Sequence, residues 1–273
     1  MYKKSKLKIG IVGCGAIGSS LAKEIVTNFT GSAALVALYD IKSEKSCLLG
    51  QNLKKKLAVP SLDALIKRSD LVIEASSAKA AWEIARKALS SSCKVMVMSV
   101  GGMVGHLDQL LNLALKHNAQ VYFPSGAVAG IDALKAANIA GIKKVVLTTR
   151  KNPKAFRGVE YVESKFKLDG LKKDKVLFSG TAAQAVKYFP QNINVAAVLG
   201  LAAIGMQKTQ VRIIASPNVN KNVHEVLIES KAANIFTRTE NVLHPQNPKT
   251  SYLAVLSAIA TLKQILQPIK VGA

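Results

Sequence analysis

Residues 7–18 read Leu7-Lys-Ile-Gly-Ile-Val12-Gly13-Cys-Gly15-Ala-Ile-Gly18, an apolar run that passes directly into a G-x-G-x-x-G loop. After a strand and before a helix, this pattern predicts the phosphate-binding turn of a dinucleotide fold. The three glycines serve different ends. Gly13 permits the tight turn, Gly15 lets the backbone approach a pyrophosphate, and Gly18 lets the helix lie close on the sheet. The helix start offers unpaired N–H groups and the positive end of its dipole, which makes Ala16 and Ile17 expected cofactor contacts beside the glycines. The next apolar run, Ala33 to Tyr39, ends in Asp40, 22 residues past Gly18, where a carboxylate can accept both ribose hydroxyls. That acid repels a 2′-phosphate and favours NAD, while Lys42 softens the repulsion and leaves NADP open.

Beyond Asp40 a lysine-rich linker leads to a helix over 61–68 with Ser61 as its cap. Strands over 70–74, 94–98 and 120–123 then alternate with helices over 79–89 and 106–116, the signature of a parallel sheet covered on both faces. The strand ends carry Glu74-Ala-Ser76-Ser77, Ser99-Val-Gly101-Gly102 and Pro124-Ser-Gly-Ala127, small residues where such sheets bind ligands. Ser76 and Ser77 are expected to touch the cofactor, with ordinary turn chemistry as the alternative. From residue 142 strands follow one another (143–150, 176–178, 210–215, 223–228, 233–238), with helices over 181–188 and 194–204 and a closing helix over 252–266. The expected fold class is α/β: a Rossmann dinucleotide-binding domain over 1–127, an α+β substrate domain over 128–243, and a loop and helix over 244–273. Leu256, Ile259, Leu262 and Leu266 form that helix's apolar face, which can pack back on the first domain.

Composition narrows the function classes. An apolar fraction of 49% in 273 residues predicts a globular chain, and Cys14, Cys47 and Cys93 form no C-x-x-C pair, which argues against a disulfide framework or a zinc site and for a reducing cytoplasm. Cys14, near a helix start, is a candidate for a lowered pKa, although a small residue at a variable motif position explains it as well. No secretion signal is read at the N-terminus, and the apolar stretch 195–206 is too short to span a bilayer. The net charge of +22, from 38 basic against 16 acidic residues, is spread along the chain, with Lys54-Lys55-Lys56 the longest run. Such a surface steers small anions and carries no nucleic-acid motif, so no specific nucleic-acid or membrane partner is expected.

In the second domain His224 stands out, in Asn220-Lys-Asn-Val-His224-Glu-Val-Leu. Period-two alternation puts it on one face with Val226 and Ile228, with Glu225 and Glu229 on the other, so the imidazole points to an interior or a cleft. There it can act as acid or base near neutral pH, or serve as a satisfied core histidine. Two polar loops complement it. In 189–194, Asn192 is an expected substrate contact, and Asn194 can cap a helix or reach a nicotinamide amide. The loop from His244 ends in Asn247-Pro-Lys249-Thr250-Ser251, where a lysine, two hydroxyls and open N–H groups at a helix start suit a carboxylate. No spacing of histidines or acids predicts a metal site.

Seven segments in order, GIVGCGAIG, VIEASS, PSGAVAGIDAL, VVLTTRKNP, FPQNINVAA, NVHE and NPKTSYLA, resemble the L-aspartate dehydrogenase family. The resemblance implies a Rossmann domain joined to a substrate domain like those of dihydrodipicolinate reductase and homoserine dehydrogenase. It also implies NAD(P)-dependent conversion of L-aspartate through iminoaspartate to oxaloacetate and ammonia, a possible supply of iminoaspartate for NAD synthesis. It gives His224 the active-site role and makes Ala127 and Asn194 cofactor contacts; the reading of the loop before the last helix adds Lys249, Thr250 and Ser251 as the expected holders of the carboxylates. The lysine-rich stretch over 43–56 and an insertion over 159–175 depart from the family and read as peripheral. A homodimer is the expected assembly. A homoserine-type reductase and a non-catalytic NAD(P) sensor remain the rival readings.

Overall fold

In the computed structural model of the chain, residues 5–189, 194–245 and 247–272 are described, apart from the side chains of Pro248 and Lys249. The chain separates into two units. One takes everything up to Pro124 together with Ala258–Lys270, and the other takes Ser125–Ser257 and the C-terminal residues. Residues 125–127, expected to close the first domain, group with the second, and the expected closing segment divides within its helix.

The first unit is a parallel sheet of β1 (Leu7–Val12), β2 (Ala33–Tyr39), β3 (Leu71–Glu74), β4 (Lys94–Val97) and β5 (Val121–Tyr122), in the order β2-β1-β3-β4-β5. Strand residues alternate between two apolar layers. Ile9, Ile11, Leu71, Ile73 and Met96 meet Leu21 and Ile25 of the helix Ala16–Thr27, while Val12, Val72, Val95 and Val97 meet Ile84 and Ala85 of the helix Ala78–Ser90. Burial on both faces is why these strands read as continuous apolar runs. The strand order reverses between β1 and β3, which puts the ligand crevice of such a sheet beside the loops after those two strands.

The lysine-rich linker is in fact a helix, Ser43–Asn52, whose Leu49 joins the first layer. Its lysines and polar residues hide an amphipathic segment held by few apolar contacts. In the closing helix Tyr252–Leu266 the buried seam is Val255, Ala258 and Leu262, and Leu256 is exposed instead of lying on the apolar face. Ala258 and Leu262 belong to the first unit's core. No helix among the described residues is long and apolar enough to cross a membrane.

The second unit holds β6 (Ile142–Lys151), β7 (Lys175–Thr181), β8 (Gln210–Ala215), β9 (Asn222–Ser230) and β10 (Asn234–Asn241), in the order β10-β9-β6-β8-β7. Only β6 and β8 run parallel, so the sheet is mixed, as the run of strands without intervening helices implied. A helix unread in the sequence, Ile131–Ala140, precedes β6 after Gly130 in a left-handed conformation. The insertion over 159–175 is not peripheral either: Val162 is buried, and Tyr161 packs its ring on Phe178, Tyr188 and Phe189.

Candidate active site

At the switch point of the first unit, the three loop glycines differ in what they would meet if a Cβ were added. At Gly13, whose φ is +94°, the added atom would collide with the Ala75 carbonyl, and at Gly18 with the carbonyl of Gly13. At Gly15 nothing lies within 4 Å. The protein's own packing therefore requires glycine at 13 and 18 but leaves Gly15 to be explained by a close-approaching ligand. Gly15 caps the helix Ala16–Thr27 without a side-chain hydrogen bond, so the first-turn N–H groups, including those of Ala16 and Ile17, are the natural anion contacts.

Asp40 closes the same loop. One of its carboxylate oxygens accepts from the Cys14 N–H (2.8 Å) and the other from the Lys42 N–H (3.0 Å), which fixes the carboxylate while each oxygen keeps a lone pair for a ribose hydroxyl. Burial and the Asp40 charge push the Cys14 thiol up to about 12, the reverse of what a helix start alone suggests, so it is an inert small residue. The residues present thus fit a dinucleotide.

Glu74 ties the neighbouring strand ends together. Fully buried, it accepts from the Ser76 N–H and hydroxyl (both 2.8 Å), the Ser99 N–H (2.9 Å) and the Ser99 hydroxyl (3.0 Å). The Ser76 hydroxyl proton is therefore committed to Glu74. Ser77 caps the helix Ala78–Ser90 by backbone alone, leaving its hydroxyl uninvolved in the cap.

In the second unit the strand register assembles a polar corner on one face of the sheet. His224 on β9 stands opposite Thr149 on β6 and Thr239 on β10, and cross-strand partners share a face. One rung along that face, Asn222 stands opposite Asn241, and the β6 register continued past Arg150–Val223 brings Lys151 to the same rung. The rungs on the other side of His224 are apolar: Leu147 and Val226, then Val145 and Ile228. Glu225 points the opposite way, where it pairs with Arg150 and with Arg238 (2.6 Å), as its alternation predicted.

His224 is 4% exposed, and its Nδ1 lies 3.0 Å from the Thr149 hydroxyl. Burial, with the Lys151 charge adding to it, pushes the imidazole down to about 3, so the ring is neutral at any working pH. Lys151 is itself 7% exposed, and burial lowers its ammonium to about 8. The Asn241 amide donates to the carbonyls of Ala127 (3.1 Å) and Asn222 (3.2 Å) and to the Thr239 hydroxyl (3.3 Å), while its Oδ1 is buried with no hydrogen-bond partner among the described residues.

Ala127 is brought to this corner: its carbonyl also accepts from the Thr239 hydroxyl (2.9 Å), so both lone pairs are filled and only its N–H and methyl remain for a cofactor. Asn194 begins the helix Asn194–Ala202 with an exposed side chain. The expected open loop before the last helix is instead a small hairpin of Leu243–His244 with Asn247–Ser251, which puts His244 in a strand and buries it. Local pairing across four or five residues leaves no periodicity to read. Thr250 accepts from Asn247 (3.1 Å), and Ser251 accepts from Asn222 (3.2 Å), which joins Ser251 to the polar corner. Asn192 and the side chain of Lys249 lie outside the described residues.

Lys151, Thr149, Asn222 and Asn241 went unread as site residues. For Lys151 and Thr149 a signal existed: Val145, Leu147, Thr149 and Lys151 are every second residue of β6 and share its buried face. A lysine in that series is a buried charge, and such charges cluster at functional sites.

Residues 132–265 match the family model described as aspartate dehydrogenase, C-terminal, and residues 13–124 match the NAD-binding domain of homoserine dehydrogenase. An L-aspartate dehydrogenase of Methanosarcina mazei is 46% identical over 270 residues, covering 97% of this chain and 99% of that protein. One from Methanocaldococcus jannaschii is 38% identical over 269 residues, again covering 97% and 99%. Among solved structures, aspartate dehydrogenase of Thermotoga maritima superposes with a TM-score of 0.78 at 27% identity, covering 98% of this chain and all of that one.

Proposed function

The chain belongs to the L-aspartate dehydrogenase family, and from that premise we propose that it oxidises L-aspartate at the amine-bearing carbon to iminoaspartate, which water converts to oxaloacetate and ammonia. The observation that carries this reading is a buried, neutral His224 held by Thr149 at the polar end of the second unit's sheet, in a chain similar to L-aspartate dehydrogenases along nearly its whole length. NAD, when bound, would supply the hydride acceptor, and the first-turn N–H groups after Gly15 together with Asp40 would hold it. His224 takes a proton from the substrate amine or from the water that attacks the imine carbon. For Nε2 to do so, Nδ1 must carry the ring hydrogen and Thr149 must accept it, so Thr149 sets both tautomer and ring plane. Ser251, Thr250 and Lys249 remain candidates for the carboxylates, and Ala127, Asn194 and Asn192 for cofactor and substrate contacts.

A homoserine-type reductase finds support only in the nucleotide-binding half, since the second half matches the aspartate dehydrogenase model. We place the enzyme in the cytoplasm, where Cys14, Cys47 and Cys93 stay unpaired, as a homodimer. The test is reduction of NAD, followed at the nicotinamide absorbance band, with each of the twenty amino acids. Aspartate should dominate, because a site built to pair with a second carboxylate leaves donors unpaired when that group is missing. Comparable turnover of alanine or asparagine would overturn the reading, and NAD binding without turnover would make the protein a sensor.

A further inference from the structure

The reaction proposed above needs a cation for a substrate carrying two carboxylates, and the polar corner of the second unit contains one, Lys151, to which the sequence reading gave no role. We propose that Lys151 is the specificity-determining cation that receives a substrate carboxylate beside His224. The assignment rests on the aspartate reading and deepens it.

The geometry supports it in three ways. Lys151 shares the inward face of β6 with Thr149, and Thr149 stands opposite His224, so Lys151 is a diagonal cross-strand neighbour of the histidine at about 7–8 Å between backbones, within reach of a lysine stem. Arg150, the adjacent cation, is held on the opposite face by Glu225 and Asp174. On the rung that Lys151 shares, the buried Asn241 keeps an acceptor oxygen with no partner among the described residues although its amide makes three contacts, so the corner is completed by a donor that arrives with a ligand, such as an amine N–H.

The arrangement also relieves the smaller part of what makes His224 so weakly basic, burial being the larger. The Lys151 charge is one of the two causes that depress His224. A carboxylate seated on Lys151 offsets that charge, which makes His224 a better proton acceptor only when substrate is present. A site that sets an ammonium against a substrate carboxylate discriminates against amino acids lacking that group.

The test uses the full-length protein with NADH bound and succinate, an unreactive dicarboxylate, as the probe, titrated by calorimetry beside aspartate kinetics. Lys151→Met should weaken succinate binding and raise KM for aspartate by about 10- to 100-fold, the range for losing a charged hydrogen bond. NADH affinity and thermal stability should hold, and Lys151→Arg should keep part of the binding through its charge. A folded Lys151→Met that binds succinate as tightly as the parent overturns the proposal. So does a Met variant that is markedly less stable, which would make the lysine structural, and so does equal loss in the Arg and Met variants. If the parent oxidises a different amino acid, the aspartate reading falls by itself. The Lys151→Met comparison is then made with that acid, where weakened binding supports the assignment and unchanged binding overturns it.

Discussion

Adding one methyl group at Gly15 and at Gly18 should have opposite consequences, although the two residues sit three apart in one loop. At Gly18 the new Cβ runs into the backbone carbonyl of Gly13, which cannot swing aside as a side chain would. Overpacking of this kind costs about 1–3 kcal/mol, and a backbone obstacle puts Gly18→Ala at the upper end or beyond. At about 2–4 °C per kcal/mol for a protein of this size, Tm should drop by roughly 6–12 °C. Gly15 has φ −77° and ψ −166°, extended backbone open to any residue, and nothing stands within 4 Å of the added atom. Gly15→Ala should therefore cost no more than about 1 kcal/mol, the difference between glycine and alanine as an N-cap. Its methyl instead occupies the space a pyrophosphate needs, and NADH affinity should fall at least tenfold, about 1.4 kcal/mol. Urea unfolding and NADH fluorescence titration on the same two proteins separate the effects. A Gly15→Ala protein that binds NADH like the parent would refute the assignment of that space to the cofactor, and an undiminished Tm in Gly18→Ala would refute the packing argument.

Replacing His224 by Gln should lower kcat by about 10²–10⁴ with NADH affinity intact, and unchanged turnover would return it to an ordinary core histidine. The same variant tests its protonation: the folded ring stays neutral down to about pH 3, whereas an unfolded histidine protonates below 6.5, so this group's contribution is complete above 6.5 and fades as pH falls. The parent should lose up to about 1.4 kcal/mol per pH unit more than His224→Gln inside that window, and parallel unfolding curves would contradict the buried neutral ring. Asp40→Asn keeps an acceptor for the Cys14 N–H but drops the charge, so the NAD over NADP preference measured by kcat/KM should shrink with little change in Tm. An unaltered ratio would move the ribose contact elsewhere. Glu74→Gln puts an amide donor where one oxygen now accepts from the Ser99 N–H, or, turned over, where the other accepts from Ser76 and the Ser99 hydroxyl, which should cost about 1–3 kcal/mol in urea unfolding. Parent-like stability would show that the two strand ends do not depend on it.

Local signals carried the sequence reading where structure is local. The glycine loop, the alternation of strands with helices, the Ser61 cap, which accepts from the Ala64 N–H at 3.1 Å, and the inward face of His224 all follow from spacing within a dozen residues. What stayed illegible depends on pairing across the chain. Asn241 becomes a site residue only because β10 folds back on β9, and Ala127 is fastened by two β10 side chains more than a hundred positions away. The helices Ser43–Asn52 and Ile131–Ala140 were hidden because the first is mostly polar and the second starts at a glycine without a capping side chain. Lys151 was legible in principle, as the fourth member of a period-two series whose other members are two apolar residues and a threonine.

The polar corner lies on β6, β9 and β10, and β9 is hydrogen-bonded along its length on both sides. Its backbone amides reach solvent only when a neighbouring strand parts from it, so those bonded to the central strand β6 around His224 should be among the slowest in the second unit to exchange with deuterium, and proteolysis of the folded protein should spare them. Heat should then disorder the surroundings of His224 only at the temperature where β9 parts from β6, whichever unit melts first.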